Sequence, residues 1–185
     1  RKERPEEFKT RSPFLLFSAD FFGQVKPQSI QGNNWVLAFI CDECAFAHAE
    51  CIRSKRDAPA ALERFTKEIR RKTGVTTLGT GPVDIIVGGI HTDNEPVLTG
   101  QRWKETCDRL GITELHSIPY VPQGNGTIER FVGTLKNSLR TSMRGVDSRC
   151  WDWCVQNCIE TWNMRNNKKC CQFNDGLICC PNEIL

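Results

Sequence analysis

The chain has 185 residues, 39% of them apolar and 25% charged, which is typical of one globular domain with a sizeable core. Its formal net charge of +3 permits nucleic-acid binding without requiring it, because the clustering of basic residues matters more than their sum. No apolar run approaches the roughly 20 residues that cross a bilayer, so we expect no membrane span.

The sequence divides into a charged arm and one domain. Residues 1–12 combine many charged side chains with a proline and no apolar period, which predicts a linker or arm. Residues 13–185 form the single predicted domain. Because residue 1 is arginine and no signal-peptide pattern follows it, we expect a piece of a longer protein or a processed product.

Three strands are predicted in the first third of the domain. Residues 13–23 are strongly apolar and contain Asp20, followed by turn-forming residues at 26–34 and by strands at 35–41 and 46–52. This spacing predicts an antiparallel meander. A charge in so apolar a run is costly to bury unless it is paired or bound to a cation. The alternative is that Asp20 turns outward from an edge strand.

A helix and a fourth strand follow the meander. Asp57 as the cap and Pro59 in the first turn predict the start of a helix that Gly74 ends. The β-branched run Val83–Val87 predicts a buried strand, which leads through glycines to Asp93.

The second half of the domain is predicted to be mainly helical. We expect a helix at 99–110, a short strand at 112–118 and a Pro/Gly-rich loop at 119–126. A helix beginning near residue 125 should bury one apolar stripe: Ile128, Val132, Leu135 and Leu139. On a helical wheel a second stripe groups Glu129, Gly133, Lys136 and Arg140, which suits a metal and the phosphates beside it.

The last predicted helix, at 148–166, is rich in tryptophan. Trp151, Trp153 and Trp162 are expected to pack in a core or an interface rather than to stack on bases. The complete order is three strands, helix, strand, helix, short strand, helix, helix. It predicts one layered α/β domain with helices on both faces of a mixed sheet.

Eleven cysteines do not decide the function. Cys150, Cys154 and Cys158 share one face of the last predicted helix, where they suit small core positions. Cys41 and Cys44 form a C-x-x-C pair, and no second such pair lies nearby in the sequence. Doublets at 170–171 and 179–180 lack the usual spacing of zinc ligands. We expect free thiols there, with zinc as the alternative.

Three acidic residues on separate elements suggest a catalytic site. They are Asp20, Asp93 and Glu129, with 35 residues between the last two and a Gly/Pro/Asn-rich loop before Glu129. Carboxylates are the hard oxygen ligands that Mg²⁺ prefers, and a two-metal phosphoryl-transfer site needs several of them together.

These residues resemble the catalytic core of retroviral and LTR-retrotransposon integrases. The resemblance lies in Asp20 within a Phe-Ser-Ala-Asp-Phe-Phe-Gly strand, in Thr92-Asp93-Asn94, and in the segment Pro119–Arg130. It extends over roughly residues 13–185, including Trp162-Asn163 and the closing residues 181–185. The 35-residue spacing is its specific part. The resemblance implies a ribonuclease H-like fold, that is, an α/β fold with a mixed five-stranded sheet flanked by helices.

The resemblance also implies an activity of the D,D-35-E type. Such cores process the 3′ end of element DNA and transfer that strand into target DNA. By resemblance, Asp20 would bridge two Mg²⁺ ions, Asp93 would bind one and Glu129 the other, and Mn²⁺ would substitute. Lys136 matches a basic position that contacts the DNA end. We further expect DNA contacts from Tyr120, Gln123, Asn125 and Arg140, the first three in the family's flexible active-site loop.

Partners follow from the same resemblance. We expect element and target DNA as ligands, a homodimer or higher homo-oligomer, and action in the nucleus. Integration at full specificity is expected to need the zinc-binding and DNA-binding domains that flank such cores. One departure is Glu95-Pro96 where the family usually has glycine, which is expected to add a charge near the metals and stiffen the turn.

Three alternatives stay open on the sequence. A DDE transposase core would share the chemistry and differ in the element it moves. A catalytically silent, domesticated integrase core would bind DNA or protein without reacting. A cysteine-rich zinc-binding module would use the thiols instead of the three acids.

Overall fold

The structure is a computed structural model, and it describes residues 12–73, 87–116, 126–165 and 181. The elements in these residues follow the predicted order: β1 (Leu16–Gly23), β2 (Trp35–Cys41), β3 (Ala47–Ile52), α1 (Ala58–Thr73), β4 (Gly89–Thr92), α2 (Gln101–Leu110), β5 (Thr113–His116), α3 (Gly126–Ser142) and α4 (Trp151–Asn163). Among the described helices, none has both the length and the apolar character needed to cross a membrane.

The five strands form one mixed sheet in the order β3-β2-β1-β4-β5, which confirms the predicted architecture. β1 pairs with β2, and β2 with β3, in antiparallel orientation, as the meander predicted. β4 runs parallel to β1 and β5 runs parallel to β4. Since β1 is the central strand, the alternative that Asp20 faces outward from a sheet edge is wrong.

Alternating side chains of the sheet pack against helices on both faces. Phe17 and Ala19 of β1 lie in a core with α1 and α2, whereas Phe22 lies in a second core with α3 and α4. In the first core the ring of Phe65 stacks on Phe39 at a centroid distance of 4.1 Å. Each such buried apolar side chain contributes roughly 1.5–3 kcal/mol. Because Asp20 has the parity of Phe22, it faces α3.

The predicted bounds of one strand fall mostly outside the described residues, and those of the last helix differ from the structure. Of the strand predicted at Val83–Val87 only Val87 is described, so that prediction stays a prediction. The described strand β4, Gly89–Thr92, is held by backbone pairing with β1 and β5. The helix predicted at 148–166 begins as a 3₁₀ turn at Ser148–Cys150, and α4 ends at Asn163.

α1 begins at Ala58, directly after Asp57 as predicted, but its capping differs from the prediction. Ser54 is the cap of a 3₁₀ turn at Lys55–Asp57 that precedes the helix. The Ser54 hydroxyl accepts a hydrogen bond from the Arg56 N–H (3.3 Å), and the Asp57 carboxylate accepts one from the Ser54 N–H (3.0 Å). Asp57 is therefore the third residue of a capping box and not the cap itself. Gly74, the predicted end of α1, lies outside the described residues.

The helical faces were predicted more accurately than the helix ends. The four residues of the predicted apolar stripe of α3 are all buried, together with Phe131. Trp151 is buried, and Trp162 packs edge-on against Phe131 with ring centroids 5.0 Å apart. Trp153 is 49% exposed, so it is not part of the core. The cysteine doublets at 170–171 and 179–180 lie outside the described residues. Of the three cysteines predicted to share a helical face, Cys158 is buried and Cys150 and Cys154 are half-buried.

Candidate active site

Asp20 and Asp93 come from neighbouring parallel strands at the same level of the sheet. Asp20 lies within β1, and Asp93 directly follows β4. The parallel register pairs Leu16 with Gly89, and continuing it along both strands brings Asp93 opposite Asp20. Asp20 is directed towards the side of the sheet that α3 covers, and the charge of Asp93 acts on its carboxyl group.

The third acid and a lysine come from α3. Glu129 lies in the first turn of this helix, and Lys136 lies two turns later. Both side chains are exposed together with Gly133 and Arg140, which confirms the predicted polar stripe. The ammonium of Lys136 lies 5.7 Å from the ring centroid of Phe22, on the same face of β1 as Asp20. The register and α3 thus bring the three predicted acids to one region.

The electrostatics of Asp20 support this grouping. Burial raises its pKa from 3.8 to about 6, and the negative charges of Asp93 and, more weakly, Glu129 add to the rise. The Phe21 N–H and the charge of Lys136 oppose that rise. Burial and neighbouring like charges both disfavour an ionised carboxyl group, and a bound cation would reverse the effect. Perturbed carboxyl groups of this kind are typical of functional sites.

Short backbone hydrogen bonds orient both aspartates. The Asp20 Oδ1 accepts a 2.7 Å bond from the N–H of the next residue, Phe21. The Asp93 Oδ1 accepts a 3.1 Å bond from the N–H of Glu95, which forms an Asx-turn. Each carboxylate therefore has one oxygen held by its own strand or loop.

The donor chemistry of the three acids fits a hard divalent cation. All three supply carboxylate oxygens, and besides burial the charges of Asp93 and Glu129 contribute to the raised pKa of Asp20. In the described part of the chain, however, no group of three or more His, Cys, Asp or Glu side chains is arranged to hold a metal ion.

Two residues at this site were not predicted as functional. Lys55 donates a 2.8 Å hydrogen bond to the carboxylate of Glu95, and this ion pair compensates the charge that Glu95 was expected to add. The partners lie 40 residues apart. The sequence pointed to Glu95 through its departure from the family's usual glycine, but nothing in the sequence pointed to Lys55 as its partner.

The predicted DNA contacts are only partly described. Arg140 is exposed towards the end of α3, on the stripe that carries Lys136. Tyr120, Gln123 and Asn125 lie outside the described residues, so their predicted contacts stay predictions.

Comparison with solved structures identifies the fold. No model of a known protein family matches the chain. The structure is similar to the crystal structure of the catalytic core domain of BIV integrase, with a TM-score of 0.59 and 21% sequence identity. The similarity covers 92% of this chain and 93% of that chain. It shows a shared fold, and it confirms the ribonuclease H-like architecture and the resemblance noted in the sequence.

Sequence relatives agree with this comparison. The chain is 46% identical over 55 residues to the Gag-Pro-Pol polyprotein of squirrel monkey retrovirus. It is 24% identical over 129 residues to the retrovirus-related Pol polyprotein from transposon TNT 1-94 of Nicotiana tabacum. The two matches cover 30% and 70% of this chain. They cover only 3% and 9% of the polyproteins, which are far longer.

Proposed function

We propose that this chain, which has the fold of a retroviral integrase catalytic core and shares sequence with retroviral Pol polyproteins, is the catalytic core of a DNA integrase. The observation that carries the proposal is the parallel pairing of β1 with β4, which brings Asp93 near Asp20. The charges of Glu129 and Lys136 on α3 also act on the Asp20 carboxyl group. Asp20, Asp93 and Glu129 are then the catalytic acids of a D,D-35-E polynucleotidyl transferase.

The proposed cofactor is a pair of Mg²⁺ ions, for which Mn²⁺ would substitute. When bound, such ions activate the attacking oxygen and stabilise the leaving oxygen of an in-line displacement. Asp20, Asp93 and Glu129 would hold them with carboxylate oxygens. The hydrogen bonds from Phe21 and Glu95 each engage the Oδ1 atom of one aspartate.

The proposed reaction has two steps on DNA. Water first attacks a phosphodiester near the 3′ end of element DNA, releasing the terminal nucleotides and leaving a 3′-hydroxyl. That hydroxyl then attacks a phosphodiester of target DNA, so that a new bond forms and a target 3′-hydroxyl is displaced. Two element ends joined to one target imply at least a homodimer. Chromosomal target DNA implies action in the nucleus.

The polar stripe of α3 is the proposed DNA contact. Lys136 and Arg140 follow Glu129 on this stripe. A Cβ added at Gly133, between Glu129 and Lys136, would meet no atom of the described residues within 4 Å. An open surface of this kind allows a DNA backbone to approach the acids closely. Lysine and arginine there would bind phosphates, which position the DNA without reading its sequence. Tyr120, Gln123 and Asn125 are proposed to add contacts from the preceding loop.

A catalytically silent core that only binds DNA is the competing function. It is favoured by the absence, within the described residues, of a three-residue group arranged for a metal. The two functions differ in a strand-transfer assay with a labelled duplex oligonucleotide, a plasmid target and Mg²⁺ or Mn²⁺. The proposal predicts joined products from the wild type and none from the Asp93→Asn variant. A silent core would give DNA binding by both and joined products from neither, also after the zinc-binding and DNA-binding domains expected to flank such cores are supplied.

A further inference from the structure

Lys55 occupies a fixed position between the sheet and the loop that carries Asp93. It is the first residue of the 3₁₀ turn capped by Ser54, so its backbone is held by two reciprocal hydrogen bonds. Its ammonium donates a 2.8 Å hydrogen bond to the Glu95 carboxylate. The two side chains are only 25% and 29% exposed, which sets this ion pair apart from mobile surface pairs.

Two aromatic rings hold the same ammonium from the side of the sheet. The Lys55 Nζ lies 4.6 Å from the ring centroid of Trp35 and 5.1 Å from that of Phe21. Both distances suit cation–π attraction, which is stronger when the cation is partly removed from water. Phe21 directly follows Asp20 in β1, and Trp35 is paired with Gly23 across β1 and β2. The lysine is therefore anchored on the residue that follows Asp20, on the face of β1 opposite to α3.

Glu95 connects this anchor to the second catalytic acid. Its N–H donates to the Asp93 Oδ1 at 3.1 Å, and its carbonyl accepts a 2.8 Å hydrogen bond from the Leu98 N–H. Leu98 is fully buried in the core that contains α1 and α2. The Asx-turn from Asp93 to Glu95 is thus fixed at its last residue, which accepts a hydrogen bond from the buried Leu98 and forms the salt bridge to Lys55.

We propose that the Lys55–Glu95 ion pair, seated on Phe21 and Trp35, positions the Asp93 carboxylate relative to Asp20 and so sets the affinity of the site for divalent cations. This inference rests on the proposed function, since it assigns a positioning role at the same acids. Neither Lys55 nor Glu95 touches the reacting atoms; both act through the conformation of the Asp93 loop. The ion pair also neutralises Glu95, which keeps a fourth negative charge from competing for the cation.

The test measures Mn²⁺ binding by electron paramagnetic resonance and plasmid nicking on the same full-length preparations. Lys55→Met keeps the length of the side chain and removes its charge, and Lys55→Arg keeps the charge. Loss of an outer-shell partner is expected to weaken Mn²⁺ binding roughly tenfold. Lys55→Met should show this loss and Lys55→Arg should stay within about twofold of the wild type. The Mn²⁺ concentration for half-maximal nicking should rise in step, with little change in the rate at saturating Mn²⁺.

A double-mutant cycle separates positioning from a general loss of stability. Glu95→Gln should weaken Mn²⁺ binding as Lys55→Met does, and the double variant should be no worse than either single one, because both changes break one interaction. Arg64→Met is the matched control, since it breaks the exposed Arg64–Glu50 pair on α1 and β3. It should leave Mn²⁺ binding unchanged. If Lys55→Met does not fold, Glu95→Gln and the control carry the comparison.

Folded Lys55→Met and Glu95→Gln proteins that bind Mn²⁺ like the wild type would overturn the inference, whatever the nicking assay gives. Weakened Mn²⁺ binding in these variants without nicking by the wild type would support the inference and contradict the proposed catalytic function. Nicking by the wild type that keeps its Mn²⁺ dependence in both variants would contradict the inference alone. A wild type that neither binds Mn²⁺ nor nicks DNA would overturn both.

Discussion

Asn163 pairs with the backbone of Ala47 as a neighbouring strand residue would. Its Oδ1 accepts a 2.8 Å hydrogen bond from the Ala47 N–H, and its Nδ2 donates a 2.8 Å hydrogen bond to the Ala47 carbonyl. The preceding Trp162 donates from Nε1 to the carbonyl of Ala45 at 2.8 Å. The last turn of α4 is therefore held to the first residue of β3 by side-chain hydrogen bonds.

Asn163→Ala should destabilise the fold substantially. The change leaves a buried backbone N–H and carbonyl of Ala47 without these partners, and the expected loss is roughly 2–4 kcal/mol in the free energy of unfolding. Urea denaturation measures it. Asn157→Ala, at an exposed position of the same helix, is the matched control and should change stability by less than about 0.5 kcal/mol. Equal losses in the two variants would contradict the role assigned to Asn163.

Two glycines should respond to alanine with opposite signs. Gly133 lies inside α3, where an added Cβ meets no atom within 4 Å, so Gly133→Ala should stabilise the protein by about 0.5–1 kcal/mol. Gly145 has a φ of +75° and equally open surroundings, so Gly145→Ala should destabilise it by about 1 kcal/mol through backbone strain alone. Thermal unfolding of both variants gives the comparison. If both variants were stabilised, or both destabilised, backbone conformation would not determine how these two positions respond to alanine.

Asp20→Asn should make the isolated protein more stable at alkaline pH. The folded-state pKa of Asp20 is raised from 3.8 to about 6, so its carboxyl group stabilises the fold below about pH 4. This contribution is lost as the pH rises through about 6. Asparagine cannot ionise and should therefore gain roughly 1–2 kcal/mol over the wild type at pH 8, after allowance for solvent screening. The two proteins should be equally stable near pH 4.

Urea denaturation at both pH values, without added divalent ions, tests this expectation. The difference between wild type and variant removes the contributions of other titrating groups, which both proteins share. An Asp20→Asn variant that is less stable than the wild type at pH 8 would contradict the repulsive environment assigned to Asp20. Adding Mg²⁺ should then stabilise the wild type and leave the variant unchanged.

The sequence predicted those parts of the fold that depend on periodicity. The strand at Trp35–Cys41 was placed without error because it is a continuous apolar run between turn residues. The buried and exposed stripes of α3 follow directly from the helical period, and they place Glu129 and Lys136 correctly. Periodicity did not single out Gly89–Thr92 as a strand, because these residues owe their strand conformation to pairing with β1 and β5.

The contacts that orient the site could not be predicted in this way. The Lys55–Glu95 pair joins residues 40 apart, and no local pattern links them. The buried pair of Asn33 and Asp152, joined by a 2.9 Å hydrogen bond across 119 residues, is a second example. Periodicity gives the face of a side chain, whereas its partner depends on the packing of elements that are distant in sequence.

The central claim is that Asp20, Asp93 and Glu129 form one metal-dependent catalytic site, and nicking of supercoiled plasmid with Mg²⁺ or Mn²⁺ tests it most directly. The comparison is between the wild type, Glu129→Gln and the matched control Glu160→Gln, an exposed glutamate on α4. The account predicts metal-dependent nicking by the wild type and the control, and a loss of at least about a hundredfold in Glu129→Gln. Nicking by Glu129→Gln at the wild-type rate would contradict it.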